Sequence, residues 1–154
     1  MEIKTLDQRG RDFMAKEEGI KLKPYPDSKG IPTIGIGCTF YPNGNRVTLK
    51  DKPLPSIQAA WDLFDAVNLG FMLTVYSTTR DDINQNQFNA LVSLCYNIGP
   101  VGFKGSTVLK LVNKKPERSE DWTGIRNVEK FRREANIIRP QEARSENVFL
   151  LIRV

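Results

Sequence analysis

The 154-residue chain contains no histidine. That excludes Ser-His-Asp and Cys-His catalysis and every zinc site that uses an imidazole. A general acid or base must therefore be Asp, Glu, Lys, Tyr or Cys. Cysteine is scarce too. Cys38 and Cys95 are the only two. They match no metal-ligand spacing and read as unpaired thiols of a reducing compartment. Long apolar runs are missing, so no bilayer span is expected. The first residues, MEIKTLDQRGRDF, lack the apolar stretch of a signal peptide. The expected place of synthesis is the cytosol, with no membrane insertion and no exit unless something else releases the chain. No internal repeat and no low-complexity segment is present.

What is there is ordinary globular composition, 40% hydrophobic and 27% charged. The length suits one domain, or two small lobes sharing a long helix, and can bury a core without disulfide or metal. The net charge is +5, which favours an anionic partner such as nucleic acid, an anionic membrane face or a bacterial wall polymer. Many soluble proteins carry such charge with no partner in view. No helix-turn-helix, zinc finger or aromatic-basic sheet signature supports nucleic acid.

Thr5 to Glu17 predicts a first helix, with Leu6 and Phe13 on one face and Gly19 as its C-cap. Lys21 to Thr39 alternates like strands about a turn at Asp27-Ser28-Lys29-Gly30. Asn43-Gly44-Asn45 predicts a second turn into Arg46 to Leu49, which would complete a three-stranded sheet. Ser56 suits the N-cap of a long helix with Ile57, Trp61, Phe64, Val67 and Phe71 on one face. Asn84 to Ile98 is apolar nearly all round, as a buried helix is, and Gly99-Pro100 ends it. Shorter helices are predicted at 106–112, 119–136 and from Pro140 to Leu151. The order is that of an α+β chain with a mostly helical second lobe.

Glu18, Asp27 and Thr33 stand out within EGIKLKPYPDSKGIPTIGIG. A carboxylate at a helix C-terminus lies beside unpaired carbonyls, which disfavours ionisation and suits a general acid. Its plain alternative is a solvated helix-end Glu. Asp27 opens a turn, where Asp caps local backbone donors; it would also serve as a base toward water. Thr33 is a good strand former whose hydroxyl is able to hold that water. Gly35 and Gly37 alternate with Ile34 and Ile36 and mark a bulge or a close approach. The TIGIG run has no phosphate-loop spacing and opens no helix.

The joint order is more specific than its parts. Eight residues separate Glu18 from Asp27, and five separate Asp27 from Thr33. With EGIKLK after the acid, a Tyr before the Asp and TIGIG beyond it, this segment resembles the catalytic stretch of the phage-type lysozymes, glycoside hydrolase family 24. Tyr96-Asn97-Ile98-Gly99, then Phe103 and Ser106-Thr107, resembles a second segment of that family. The likeness is closest from Leu6 to about Lys115 and loosens beyond, where Trp122 comes early. Cys38 stands where many relatives have His.

The resemblance implies a lysozyme-like two-lobe fold, with 1–55 as helix and sheet lobe, 56–80 as connecting helix and 81–154 as helical lobe. It implies a muramidase that cleaves the β-1,4 bond between N-acetylmuramic acid and N-acetylglucosamine in peptidoglycan. Glu18 would be the acid, Asp27 the base and Thr33 the residue that places water. Tyr96 and Ser106 would touch substrate from the second wall, the alternatives being a core aromatic and a helix N-cap. Trp61 and Phe64 read as core. No cofactor and no metal are expected, and the chain should act as a monomer. The implied setting is an endolysin that leaves the host cytoplasm through a holin-type pore. A glycan-binding module without catalysis, or a basic nucleic-acid-binding domain, would be the other readings.

Overall fold

The computed structural model describes residues 5–114, and the predicted helices at 119–136 and 140–151 lie outside them. In chain order the elements are α1 (Gln8–Glu18), β1 (Lys21–Pro26), β2 (Pro32–Gly35), α2 (Ile57–Thr78), α3 (Gln85–Gly105) and α4 (Thr107–Asn113). The fold is α+β. Residues 11–70 form one compact unit; residues 5–10 and 71–114 belong to a second. One boundary falls inside α1 after Gly10 and the other inside α2 after Gly70, so α2 contributes its first part to one unit and its last turns to the other.

α1 starts later than predicted, at Gln8, because Asp7 caps it. The Asp7 Oδ1 accepts the Gly10 N–H at 2.9 Å and an Asn89 amide N–H at 2.7 Å. Leu6 is buried as expected, just ahead of the helix, whereas within α1 Met14 is the buried apolar side chain and Phe13 is only half-buried. Gly19 ends the helix with φ +72 and its N–H on Ala15 C=O at 2.8 Å, as a left-handed C-cap does.

β1 and β2 pair antiparallel, with Lys21 opposite Gly35 and Tyr25 opposite Thr33. The register shifts between Lys21 and Tyr25, where Pro24 has no N–H to give the ladder. Among the described residues this is a two-stranded sheet, not the expected three-stranded one. Gly35 and Gly37, at φ +65 and +69, turn the chain back, with a single bridge from Ile34 to Cys38. The 46–49 run keeps only a bridge from Arg46 to Phe40 and the Val47 N–H on Thr39 C=O.

α2 begins on Ser56, whose Oγ accepts the Ala59 N–H at 3.1 Å. Phe64 and Val67 are buried in the first unit, and Phe71 and Val75 in the second. Ile57, expected on the buried stripe, is 58% exposed, since it lies in the opening turn before the core begins. Trp61 is half-buried, with its edge on Phe64 and Arg11 4.8 Å over its ring. Arg11 also pairs with Asp65 at 2.7 Å. In the second unit, α3 opens with a reciprocal Asn84–Gln87 capping box and runs through Phe88 to Cys95, all buried. The chain leaves helical geometry at Gly99, φ +80, as predicted, and a further turn starts on Pro100. Cys38 and Cys95 are buried and not joined in a disulfide, and burial pushes the Cys95 thiol up to about 12.

Candidate active site

Glu18 is the last residue of α1 and is half-buried. Its side chain lies against Gly37. A Cβ on Gly37 would stand 2.7 Å from the Glu18 Oε2 and 3.0 Å from its carboxyl carbon. Gly37 is thus needed twice, for its φ of +69 and for the space the carboxyl group occupies. The close approach that the glycine in TIGIG predicted is made by the acid itself. Gly35 is approached in turn by Leu54, 3.3 Å from where a Cβ would stand.

Asp27 opens the turn between β1 and β2. Its Oδ1 accepts the Lys29 N–H at 2.8 Å and the Ile31 N–H at 2.9 Å. Its own N–H reaches Ile31 C=O at 2.9 Å, and its C=O accepts the Gly30 N–H. This is the turn chemistry expected of Asp. It also fixes the carboxylate with one oxygen engaged. Oδ2 accepts no hydrogen bond from the described residues.

Thr33 is only 3% exposed, in β2. Its Oγ1 donates to Ile31 C=O at 2.9 Å. The hydroxyl proton is thereby committed, and what the oxygen retains is acceptor capacity. The Ile31 backbone joins the two residues, giving its N–H to Asp27 and its C=O to Thr33. Glu18, Asp27 and Thr33 all belong to the unit of residues 11–70.

Tyr96 and Ser106 belong to the other unit. Tyr96 is half-buried, its ring edge-on to Phe71 with centroids 5.2 Å apart. Ser106 is the N-cap of α4. Its Oγ accepts the Leu109 N–H at 3.2 Å and donates to Phe103 C=O at 2.7 Å, so its capping role is realised.

The sequence reading missed one polar cluster in the first unit. Asp51 accepts from the Tyr41 hydroxyl at 2.8 Å, the Thr48 N–H at 2.9 Å and the Thr48 hydroxyl at 2.6 Å. It closes the loop after β2, and the Thr-x-x-Asp spacing was its available signal. The Thr48 hydrogen bonds hold the Asp51 carboxyl below its usual range. Burial, then the bond to Asp51, pushes the Tyr41 phenol up to about 12. The carboxyl's contribution to stability is present above the ordinary carboxylate pKa and is lost as pH falls through the lowered value. The phenol's contribution is complete below about pH 10 and is lost as pH rises toward 12. Tyr41→Phe is accordingly expected to lower the urea midpoint at about pH 8, with the gap closing near pH 12. Equal midpoints at both would show that the latch carries no stability.

Among the described residues no three His, Cys, Asp or Glu side chains gather to hold a metal ion. No helix among them is long and apolar enough to cross a membrane.

Comparison with known proteins gives one answer. Residues 15–136 match the phage lysozyme family. The endolysin of Salmonella phage P22 is 39% identical over 117 residues, 71% of this chain and 74% of that protein. The endolysin of Bacillus phage PZA is 33% identical over 71% of this chain, though the match spans only 41% of its own length. Among solved structures, the endolysin of Escherichia coli O157:H7 phage FAHEc1 superposes with a TM-score of 0.68 at 32% identity, over 80% of this chain and 73% of that one. A P22 lysozyme variant gives 0.67 at 30% identity, over 96% and 99%. The muramidase domain of SpmX from Asticaccaulis excentricus gives 0.57 at 31% identity, over 71% and 70%. The chain therefore belongs to the phage lysozyme family and is a glycoside hydrolase of the lysozyme type.

Proposed function

We propose that the chain is a muramidase that hydrolyses the β-1,4 bond between N-acetylmuramic acid and N-acetylglucosamine in bacterial peptidoglycan. Glu18 gives its proton to the leaving glycosidic oxygen. Asp27 takes a proton from water, and Thr33 orients that water. The supporting observation is the hydrogen-bond pattern about Ile31, which leaves Asp27 Oδ2 and the Thr33 Oγ1 lone pairs as acceptors. A water has two protons to give. With one on Asp27 and the other on Thr33, its own lone pair is turned toward the anomeric carbon. Direct attack by that water inverts the anomeric configuration and needs no covalent sugar intermediate. Every step uses side chains of this chain and water, with no cofactor.

Tyr96 and Ser106 are proposed as further substrate contacts. The net charge of +5 draws the protein to an anionic wall, an attraction that salt weakens. The place of action that fits the endolysin relatives is the wall, reached from the host cytoplasm through a holin-type pore, by a monomer.

The bond is identified by its products. Purified peptidoglycan digested with the protein, then reduced with borohydride and hydrolysed, should yield N-acetylmuramitol. Reduced glucosamine in its place would make the enzyme a glucosaminidase. New free amino groups without reduced sugar would mean peptide cleavage.

A further inference from the structure

Lys21 sits on the hairpin that carries Thr33, and its ammonium group lies 4.0 Å over the ring of Tyr25. Three observations set it apart from an ordinary surface lysine. Tyr25 is the cross-strand partner of Thr33, which puts both side chains on one face of the hairpin with Cβ atoms about 5 Å apart. Lys21 is opposite Gly35, which offers no side chain across the strand, so the lysine stem is left to the tyrosine ring. Lys21 is exposed and has no carboxylate partner among the described residues. A cation parked on an aromatic ring is oriented but keeps its charge unneutralised.

We propose that Lys21, positioned by Tyr25, recognises a carboxylate borne by the muramyl sugar of the substrate strand. The inference rests on the muramidase reading and adds a specificity element to it. In an N-acetylated glycan of this kind the sugar rings are neutral. The anions hang from the lactyl ether of the muramyl unit. They are either the lactyl carboxylate itself, where the peptide has been removed, or carboxylates of the attached peptide. A cation on the Thr33 face of the hairpin meets such a group when the muramyl sugar is at the water-bearing side. It distinguishes a muramyl strand from an uncharged N-acetylglucosamine polymer. Lys21 touches no reacting atom in this scheme; it selects and positions.

The test uses the full chain carrying Glu18→Gln, so that binding is read without turnover. Cosedimentation is measured with intact peptidoglycan, with amidase-stripped glycan strands, and with peptidoglycan whose carboxylates are capped as amides. Adding Lys21→Gln should weaken binding about fivefold to the intact or the stripped polymer, as an exposed but oriented ion pair does. Whichever of the two responds identifies the carboxylate. The capped wall should show no difference. Lys52→Gln, an exposed lysine with the same charge change, should shift all three by less than about twofold. Equal losses for the two lysines, or a Lys21 loss that persists on the capped wall, would overturn the proposal. Failure of the muramidase reading shows separately: digestion by the chain with Glu18 intact, followed by borohydride reduction, would then yield no reduced muramic residue, whatever Lys21→Gln does to binding.

Discussion

Glu18→Gln is expected to lower turnover on peptidoglycan by about 10²–10⁴-fold while leaving the fold intact. The amide is nearly the size of the acid, so the space at Gly37 still accommodates it. What it lacks is a proton of useful acidity for the leaving oxygen. In the proposed mechanism no second group does that work. Asp27 is bound by two backbone N–H groups as an acceptor, and Thr33 has its proton on Ile31 C=O. With no histidine in the chain, the substitution has no natural understudy. The fall should appear in kcat, because the proton is needed in the transition state rather than for binding. A circular-dichroism melt within a few degrees of wild type would separate chemistry from folding. Near-normal turnover would remove Glu18 from the mechanism.

Gly37→Ala is expected to damage stability and activity together. Alanine at φ +69 is strained by about 1–3 kcal/mol. The new methyl group would also stand inside the Glu18 carboxyl group, 2.7 Å from Oε2. The acid must therefore swing away, and a misplacement of about 1 Å costs on the order of 10²-fold in rate. The control is Gly44→Ala. Gly44 has φ +87, so the backbone strain is of the same kind, but nothing lies within 4 Å of its Cβ position. That variant should lose stability and keep its turnover. If Gly37→Ala behaves like Gly44→Ala, the glycine serves the backbone alone and Glu18 does not depend on it.

These two glycines also show what a sequence makes legible. The helix end at Glu18, the Asp27 turn and the N-cap at Ser56 are local events. A few residues with strong preferences decide them, and the spacing of Glu18, Asp27 and Thr33 could be read directly. The break at Gly99 is of the same kind. The third strand was not legible, because its fate depends on distant partners. The run at 46–49 alternates acceptably, yet Asp51 takes the Thr48 N–H and hydroxyl, and the positive φ angles at Gly35 and Gly37 carry the chain away from a ladder. Periodicity similarly gave the stripe of α2 but not where burial begins, so Ile57 was placed inside when its turn precedes the core. In α1 periodicity points to Leu6 and Phe13, yet within QRGRDFMAKEE it is Met14 that is buried, because so polar a helix offers too few apolar residues to define a stripe. The hydrogen bonds of Thr33 and Asp27 to Ile31 needed coordinates. Sequence order names the residues, but only the backbone path shows which lone pairs are left over.

The most direct measurement is release of reducing ends from purified peptidoglycan by the wild-type chain beside Glu18→Gln, both shown to be folded. The account predicts a steady rise with wild type and a rate lower by about two orders of magnitude or more with the variant. Equal rates for the two proteins, or no release by the folded wild type, would contradict it.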